Sequence, residues 1–200
     1  MRTTRRLIVI GVALLGVGAP GAAASADPMA PGYPKAFACS ACHGPGGNSR
    51  ADTTPILAGI APWYFKKAIE DYASGRRPAA EMESFAKLVK ELGVDDVAAY
   101  FAAMTREPSP LRVDPSATAR GGAAAAVCIV CHGPAGKGDP DRGVPSIAGQ
   151  PAGYLRVQLQ KFKTEVRSPG EPNLVAMKAL FKTIPDDVLG DLAAYYASLK

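Results

Sequence analysis

The sequence predicts an all-α fold made of two tandem domains. Apolar side chains recur three or four residues apart in several segments, and no segment shows the apolar–polar alternation of a half-buried strand. The second half of the chain repeats the first, and such internal repetition indicates repeated structural units. Between the copies, residues 105–115 (TREPSPLRVDP) contain three prolines and no helical period, which is typical of a stiff, extended linker.

The internal repeat covers most of each half of the chain. Three aligned pairs define it: Gly32 with Gly121, the segment 55–59 (PILAG) with 145–149 (PSIAG), and the segment 97–102 (VAAYFA) with 192–197 (LAAYYA). The small insertions between the copies fall where Gly, Pro and charged residues indicate loops. The repeat therefore predicts an N-terminal domain over 27–106, a linker over 107–115 and a C-terminal domain over 116–200.

Each half contains four predicted helices in the same order. They span 33–42, 62–74, 83–92 and 95–104 in the first half, and 117–131, 151–164, 174–182 and 185–199 in the second. The second helix of each half starts with a proline, whose missing N–H is no loss in a first helical turn. Its apolar side chains then recur at helical spacing, as at Phe65, Ile69 and Tyr72. We expect Gly32 and Gly121 to let the first and last helices of each half approach closely.

All four cysteines and both histidines of the chain lie in two pentapeptides, CSACH at 39–43 and CIVCH at 128–132. The Cys-x-x-Cys-His sequence is the attachment motif of a c-type haem. Its thiols can form thioethers with the haem vinyl groups, and the adjacent imidazole is then placed beneath the iron. The sequence thus predicts two covalently bound haem c groups. The predicted attachment residues are Cys39, Cys42, Cys128 and Cys131, and the predicted proximal iron ligands are His43 and His132.

Paired cysteines also occur in other kinds of site. The two pairs could together form a four-thiolate zinc site, although they lie 89 residues apart and such a site does not need the histidines. Each pair could instead form a local disulfide or a thioredoxin-like redox pair, but no strand–helix–strand pattern surrounds either one. Haem attachment explains the histidines as well as the cysteines, so we favour it.

The second axial ligand of each haem is predicted to be a methionine. Both histidines are already assigned, so ligation by two histidines of this chain is excluded. Met177 is the methionine available within the second repeat, and its repeat partner Met82 is the matching residue in the first. Met104 competes with Met82, but it maps to the end of the last helix, where core packing is its expected role. A lysine ligand or an open coordination position is the alternative. Methionine–histidine ligation raises the haem potential and suits electron transfer.

The N-terminus has the organisation of a secretory signal peptide. Arginines occupy positions 2, 5 and 6, an apolar run spans 7–17, and the sequence ASA at 24–26 fits a cleavage site. The apolar run is short for a membrane span. We therefore expect a signal peptide over 1–26 and a periplasmic protein, with a retained signal anchor as the alternative.

The charge distribution excludes nucleic acid as a partner. The formal net charge is +5, but three of the arginines belong to the predicted signal peptide. Residues 27–106 carry nine basic and nine acidic side chains, and residues 107–200 carry eleven and nine. Four haem propionates would make the mature protein neutral to mildly acidic. No polybasic patch of the kind that binds nucleic acid is present in the sequence.

These features resemble the dihaem class I cytochromes c, and in particular the cytochrome c4 family. The resemblance rests on the tandem CxxCH motifs, the Pro-x-x-Ala-Gly segments, the downstream methionines and the Ala-Ala-Tyr helices, and it covers nearly the whole predicted mature chain. It implies two tandem class I cytochrome c domains, each wrapped around one covalent haem, with their propionate edges facing. Ile60 departs from the pattern, since the second half has Gln150 at that position.

The resemblance also implies roles for side chains near the haems. The carbonyls of Pro55 and Pro145 are expected to accept a hydrogen bond from Nδ1–H of the proximal histidines. Five further side chains are candidates to bind propionates, with core packing or a solvent-exposed position as the alternative for each: Trp63, Tyr64, Arg77, Tyr154 and Arg167.

The functional prediction is a periplasmic electron carrier that cycles between Fe(II) and Fe(III). A quinol-oxidising complex is the expected donor, and a terminal oxidase or reductase is the expected acceptor. The alternative is a haem-bearing subunit of a dehydrogenase such as flavocytochrome c sulfide dehydrogenase. Catalysis at a haem would need an open iron with acid–base groups nearby, and the chain has no spare His or Cys. We therefore predict that it is not an enzyme, and that any membrane association comes through a partner or a retained anchor.

Overall fold

The computed structural model describes residue 27 and residues 30–168 and 175–200. The predicted signal peptide at 1–26 lies outside these residues and stays a prediction. Within the described ranges all regular secondary structure is helical, apart from one isolated β-bridge between Asp139 and Val144. The all-α prediction is confirmed.

The two halves present their helices in matching order. Those of the first half are α1 (Tyr33–Ala36), α2 (Ser40–His43), α3 (Pro62–Ala73), α4 (Ala80–Leu92) and α5 (Val94–Ala103), with a 3₁₀ turn over Phe37–Cys39 between α1 and α2. Those of the second half are α6 (Pro115–Ala124), α7 (Ala126–His132), α8 (Ala152–Lys163), α9 (Val175–Thr183) and α10 (Asp186–Ser198).

Three of the helix predictions needed correction. The helix predicted from residue 83 begins at Ala80, because the Glu83 carboxylate accepts the N–H of Ala79 at 3.0 Å and so satisfies a backbone donor ahead of the first turn. The helices predicted as continuous over 33–42 and 117–131, which lead into the two cysteine motifs, are each divided into shorter helices. The second break falls at Ala125, which is completely buried, and Cys128 packs against the same core.

Each half has its own hydrophobic core. In the first half α3 packs against α4 and α5, and the core is formed by residues such as Phe65, Ile69, Val97 and Phe101. In the second half α10 packs against α6 and α8, and the core contains Leu155, Phe181, Leu189, Leu192 and Tyr196.

The close approach of the first and last helices in each half requires glycine, as predicted. A Cβ atom on Gly121 of α6 would lie 1.9 Å from the carbonyl oxygen of Asp191 on α10. A Cβ atom on Gly32, just before α1, would lie 2.3 Å from the carbonyl oxygen of Asp96 on α5. Both contacts are backbone contacts, so a side chain at either position would push the two elements apart.

The segment between the halves is extended and fastened to the first half. The Asn48 side chain donates to the carbonyl of Thr105 at 3.0 Å and accepts the N–H of Glu107 at 2.9 Å. Helix α6 starts at Pro115, the last residue of the predicted linker, because the Asp114 carboxylate caps it by accepting the N–H of Ser116.

Candidate functional site

Each cysteine motif forms a short helical turn that ends at a glycine. In the first half Cys42 and His43 lie on α2, which stops at Gly44 (φ 77°); in the second, α7 carries the motif and stops at Gly133 (φ 71°). Positive φ is accessible to glycine at little cost, so the chain turns sharply after each histidine. None of the four cysteines, all of which lie in the described ranges, forms a disulfide. Burial raises the pKa of Cys39 and Cys128, which disfavours a reactive thiolate at these positions.

Both histidines are held by the proline carbonyl that the family resemblance implied. Nδ1 of His43 lies 2.8 Å from the carbonyl oxygen of Pro55, and Nδ1 of His132 lies 2.9 Å from that of Pro145. A carbonyl can only accept, so Nδ1 carries the proton and Nε2 is left with a free lone pair. Burial lowers the pKa of both histidines, while the proline hydrogen bond acts in the opposite direction. Each ring is therefore neutral and oriented, as a metal-ligating imidazole must be.

The residues predicted to hold the first haem line one cavity. Its volume is about 490 Å³, and Cys39, Cys42, His43 and Met82 all border it. The remaining wall is mainly apolar, from α3, α4 and the segment after Pro55. A cavity of this size with a mainly apolar wall is the usual form of a cofactor pocket.

The second set of predicted ligands borders the second core. Cys128 on α7 and Met177 on α9 both pack against that core. His132 ends α7 and is half-buried. Met104, the competitor of Met82, packs against the first core, as Met82 also does, but of the two only Met82 lines the first cavity.

The first cavity is completed by the other half of the chain. Gln150, Tyr154, Val157, Gln158 and Lys161, which precede or belong to α8, contribute to its wall. Lys161 also donates to the carbonyl of Pro78 in the first half, at 2.7 Å. The two halves therefore meet at the predicted cofactor site.

Two arginines cross this interface in a reciprocal arrangement. Arg77 donates to the hydroxyl of Tyr154 at 2.5 Å, and Arg167 donates to the hydroxyl of Tyr64 at 3.4 Å. Arg77 and Arg167 are only 3% and 7% exposed, and neither forms an ion pair among the described residues. Burial would raise the pKa of Tyr64, but the charges of Arg167 and Arg77 outweigh it and lower that pKa to about 8.

Three buried donors at or beside this interface lack a hydrogen-bond partner. Within the described part of the chain, Nε1 of Trp63 and the Nε atoms of Arg77 and Arg167 have no hydrogen-bond partner. A buried, unsatisfied donor is costly, and an unpaired buried cation is more so. Of the three, Arg77 lines the first cavity, where a haem propionate would satisfy its free Nε–H. The burial of Arg77 and Arg167 excludes the solvent-exposed alternative for both arginines.

Sequence reasoning missed two residues that tie the halves together. Gln150 forms two hydrogen bonds with the backbone of Ile56, and Asp52 accepts the N–H groups that begin α8. The one sequence signal was the presence of Ile60 where the second repeat has Gln150. No comparable signal pointed to Asp52.

The chain is similar to several known proteins. The sequence profile of the family described as Cytochrome c matches residues 118–200. The chain is 31% identical to cytochrome c4 of Azotobacter vinelandii, over 93% of this chain and 96% of that protein. It is 34% identical to a thiosulfate dehydrogenase electron acceptor of Stutzerimonas stutzeri, over 83% and 81% of the two chains. Reduced recombinant cytochrome c4 from Pseudomonas stutzeri superimposes with a TM-score of 0.76 at 27% identity, over 84% of this chain and 97% of that one.

None of the helices in the described ranges is long and apolar enough to cross a bilayer.

Proposed function

The chain belongs to the cytochrome c4 family of electron-transfer proteins with covalently bound haem c, and from this premise we propose that it is a periplasmic dihaem carrier. The observation that carries the proposal is the cavity that brings Cys39, Cys42, His43 and Met82 together at the interface of the halves. The repeated motif in the second half supports a second haem.

In this proposal each domain holds one haem through the same set of residues. Cys39 and Cys42, and Cys128 and Cys131, form the thioether links. His43 with Met82, and His132 with Met177, are the axial ligands. The domains span 27–106 and 116–200, joined by the linker 107–115.

The protein residues control the stability of the two iron oxidation states. When bound, each haem supplies an Fe(II)/Fe(III) couple. A methionine thioether favours the reduced state, whereas the hydrogen bond from Nδ1–H to the proline carbonyl makes the imidazole a stronger donor and favours the oxidised state. The apolar part of the cavity wall leaves few groups near the iron that could compete with Met82. Such a site exchanges electrons with little rearrangement.

The proposed location and partners follow from the export signal and the relatives. A signal peptide over 1–26 supports the periplasm, where a quinol-oxidising complex would be the donor and a terminal oxidase or reductase the acceptor. The second candidate is an electron-transfer subunit serving a dehydrogenase, of which flavocytochrome c sulfide dehydrogenase is one kind. The relative described as a thiosulfate dehydrogenase electron acceptor supports a dehydrogenase donor.

The decisive experiment is a combined mass and redox analysis of the exported protein. We expect a mass with two added haems, and a redox titration followed by absorption and EPR with two low-spin His/Met centres. The Cys39→Ala/Cys42→Ala double variant should retain one haem with the spectrum of the second site. A mass without two haems, or a high-spin iron in the wild-type protein, contradicts the proposal. Reduction rates by a quinol-oxidising complex and by a thiosulfate dehydrogenase then distinguish the two candidate donors.

A further inference from the structure

Gln150, in the second half, forms hydrogen bonds with the backbone of the first half close to His43. The amide oxygen of Gln150 accepts the N–H of Ile56 at 2.9 Å, and its amide nitrogen donates to the carbonyl of Ile56 at 2.9 Å. Both backbone groups of one residue are thus satisfied by a single side chain from 94 residues away. Ile56 itself is 2% exposed, so water does not compete for these bonds.

Ile56 directly follows the residue that orients His43. The carbonyl of Pro55 accepts the Nδ1–H of that ring, and the peptide bond made by this carbonyl contains the N–H that Gln150 binds. Because a peptide unit is planar, fixing its N–H also fixes the direction of its carbonyl.

The same segment is fastened to the second half at its other end. The Asp52 carboxylate accepts the N–H of Gly153 at 2.8 Å, and the Asp52 carbonyl accepts the N–H of Tyr154 at 2.7 Å. These are two of the orphan donors at the start of α8, which has no side-chain cap of its own. The segment from Asp52 to Ile56 is therefore clamped between two contacts with the other half.

The contact of Gln150 with Ile56 has no counterpart at the second site. Ile60 stands at the repeat position of Gln150, and its apolar side chain packs against the first core. Ser146, the repeat counterpart of Ile56, donates through its hydroxyl to Gly136 within its own half, at 3.4 Å. The pseudo-symmetric arrangement is thus broken at this contact, in favour of the first site.

We propose that Gln150 is a positioning residue for the first haem, through which the second domain fixes the peptide that holds His43. This inference rests on the proposed ligation of iron by His43. Loss of the two Gln150 hydrogen bonds allows the Pro55 carbonyl to move, and this weakens the hydrogen bond that it accepts from Nδ1–H of His43. A less strongly bonded imidazole donates less electron density, and the oxidised state is then stabilised less. The potential of the first haem rises, and that of the second stays unchanged.

The test compares two matched substitutions in the full holoprotein. Gln150→Met removes both hydrogen bonds with little change in volume. Gln158→Met is the control, since Gln158 lines the same cavity but bonds Arg167 within its own half. The readouts are the midpoint potentials of both haems and the hydrogen exchange of the two histidine ring N–H groups, followed by NMR on the reduced protein. The two sites are assigned from the methyl signals of Met82 and Met177.

Gln150→Met should raise the potential of the first haem and speed ring exchange at His43 several-fold, with His132 unchanged. Gln158→Met should leave the His43 exchange as in the wild type. An unchanged exchange rate of the His43 ring N–H in Gln150→Met, or equal shifts of the midpoint potential at both haems, overturns the inference. If Gln150→Met does not fold, Gln150→Glu replaces it, because the carboxylate still accepts the N–H of Ile56 but no longer donates to its carbonyl. We then expect the ring N–H of His43 to exchange faster than in the wild type but more slowly than a free imidazole. A wild-type exchange rate in Gln150→Glu overturns the inference.

The outcome is separable from that of the proposed function. A wild-type protein without haem on Cys39 and Cys42 refutes the function itself. A wild-type protein with two haems and an unaffected Gln150→Met variant refutes only the role of Gln150.

Discussion

Arg77 and Tyr154 join the two halves of the molecule through a 2.5 Å hydrogen bond between residues 77 positions apart. The guanidinium also lies 4.5 Å from the ring centroid of Tyr72, in cation–π geometry. It has no carboxylate partner among the described residues, although it is buried. A buried cation beside a redox centre disfavours the more positive oxidation state of that centre.

Arg77→Leu should therefore lower the potential of the first haem. The expected fall is on the order of 60 mV, which is a tenfold change in a one-electron equilibrium. Arg76→Leu is the matched control, because Arg76 is 43% exposed and pairs with Asp71. Redox titration of both variants measures the effect. Equal potentials in Arg77→Leu and the wild type would show that this charge does not face the haem.

Met82→Ala should open the iron of the first haem. Without the thioether, that haem loses its low-spin His/Met spectrum, its potential falls, and its reduced form binds carbon monoxide. Met177→Ala should do the same at the second haem. Met104→Ala serves as the control, since Met104 packs against the core and should affect only stability. Carbon monoxide binding by Met104→Ala in place of Met82→Ala would reverse the ligand assignment.

Gly121→Ala should destabilise the second half. Its Cβ would meet the Asp191 carbonyl at 1.9 Å, and separating α6 from α10 should cost about 1–3 kcal/mol. Gly190→Ala on α10 is the control, because its Cβ meets nothing closer than 4.0 Å. Removing a helical glycine there should stabilise the protein by about 0.5–1 kcal/mol. Thermal unfolding gives both values, and a neutral Gly121→Ala would contradict the close helix contact.

The Arg120–Asp191 ion pair predicts a pH dependence of stability. Arg120 donates two hydrogen bonds of 2.7 Å to the Asp191 carboxylate, and this lowers the pKa of Asp191. A depressed folded-state pKa contributes stability above the unfolded value of about 3.9, and that contribution is lost as the pH falls through the folded value. Arg120→Gln should thus melt at a lower temperature than the wild type at neutral pH. The two proteins should converge as the pH is lowered below about 4; a difference that persists in acid would have another cause.

Much of the candidate site was predictable because covalent chemistry demands fixed residue spacing. The CxxCH motifs predict the attachment residues without any knowledge of the tertiary structure. The internal repeat then aligns Met82 with Met177. Helix starts were less predictable. Helix α4 starts where it does because the Glu83 carboxylate accepts the N–H of Ala79. The sequence alone does not show whether Glu83 accepts this bond or points into solvent.

The sequence by itself determined the all-α class, the tandem plan and the candidate haem-binding residues, because motif spacing and helical periodicity are local properties. Only the tertiary structure decided how the halves meet. The contacts of Gln150 with Ile56 and of Arg77 with Tyr154 join residues 94 and 77 positions apart. Such pairs depend on the docking of two finished cores, and no local pattern in the chain encodes that docking.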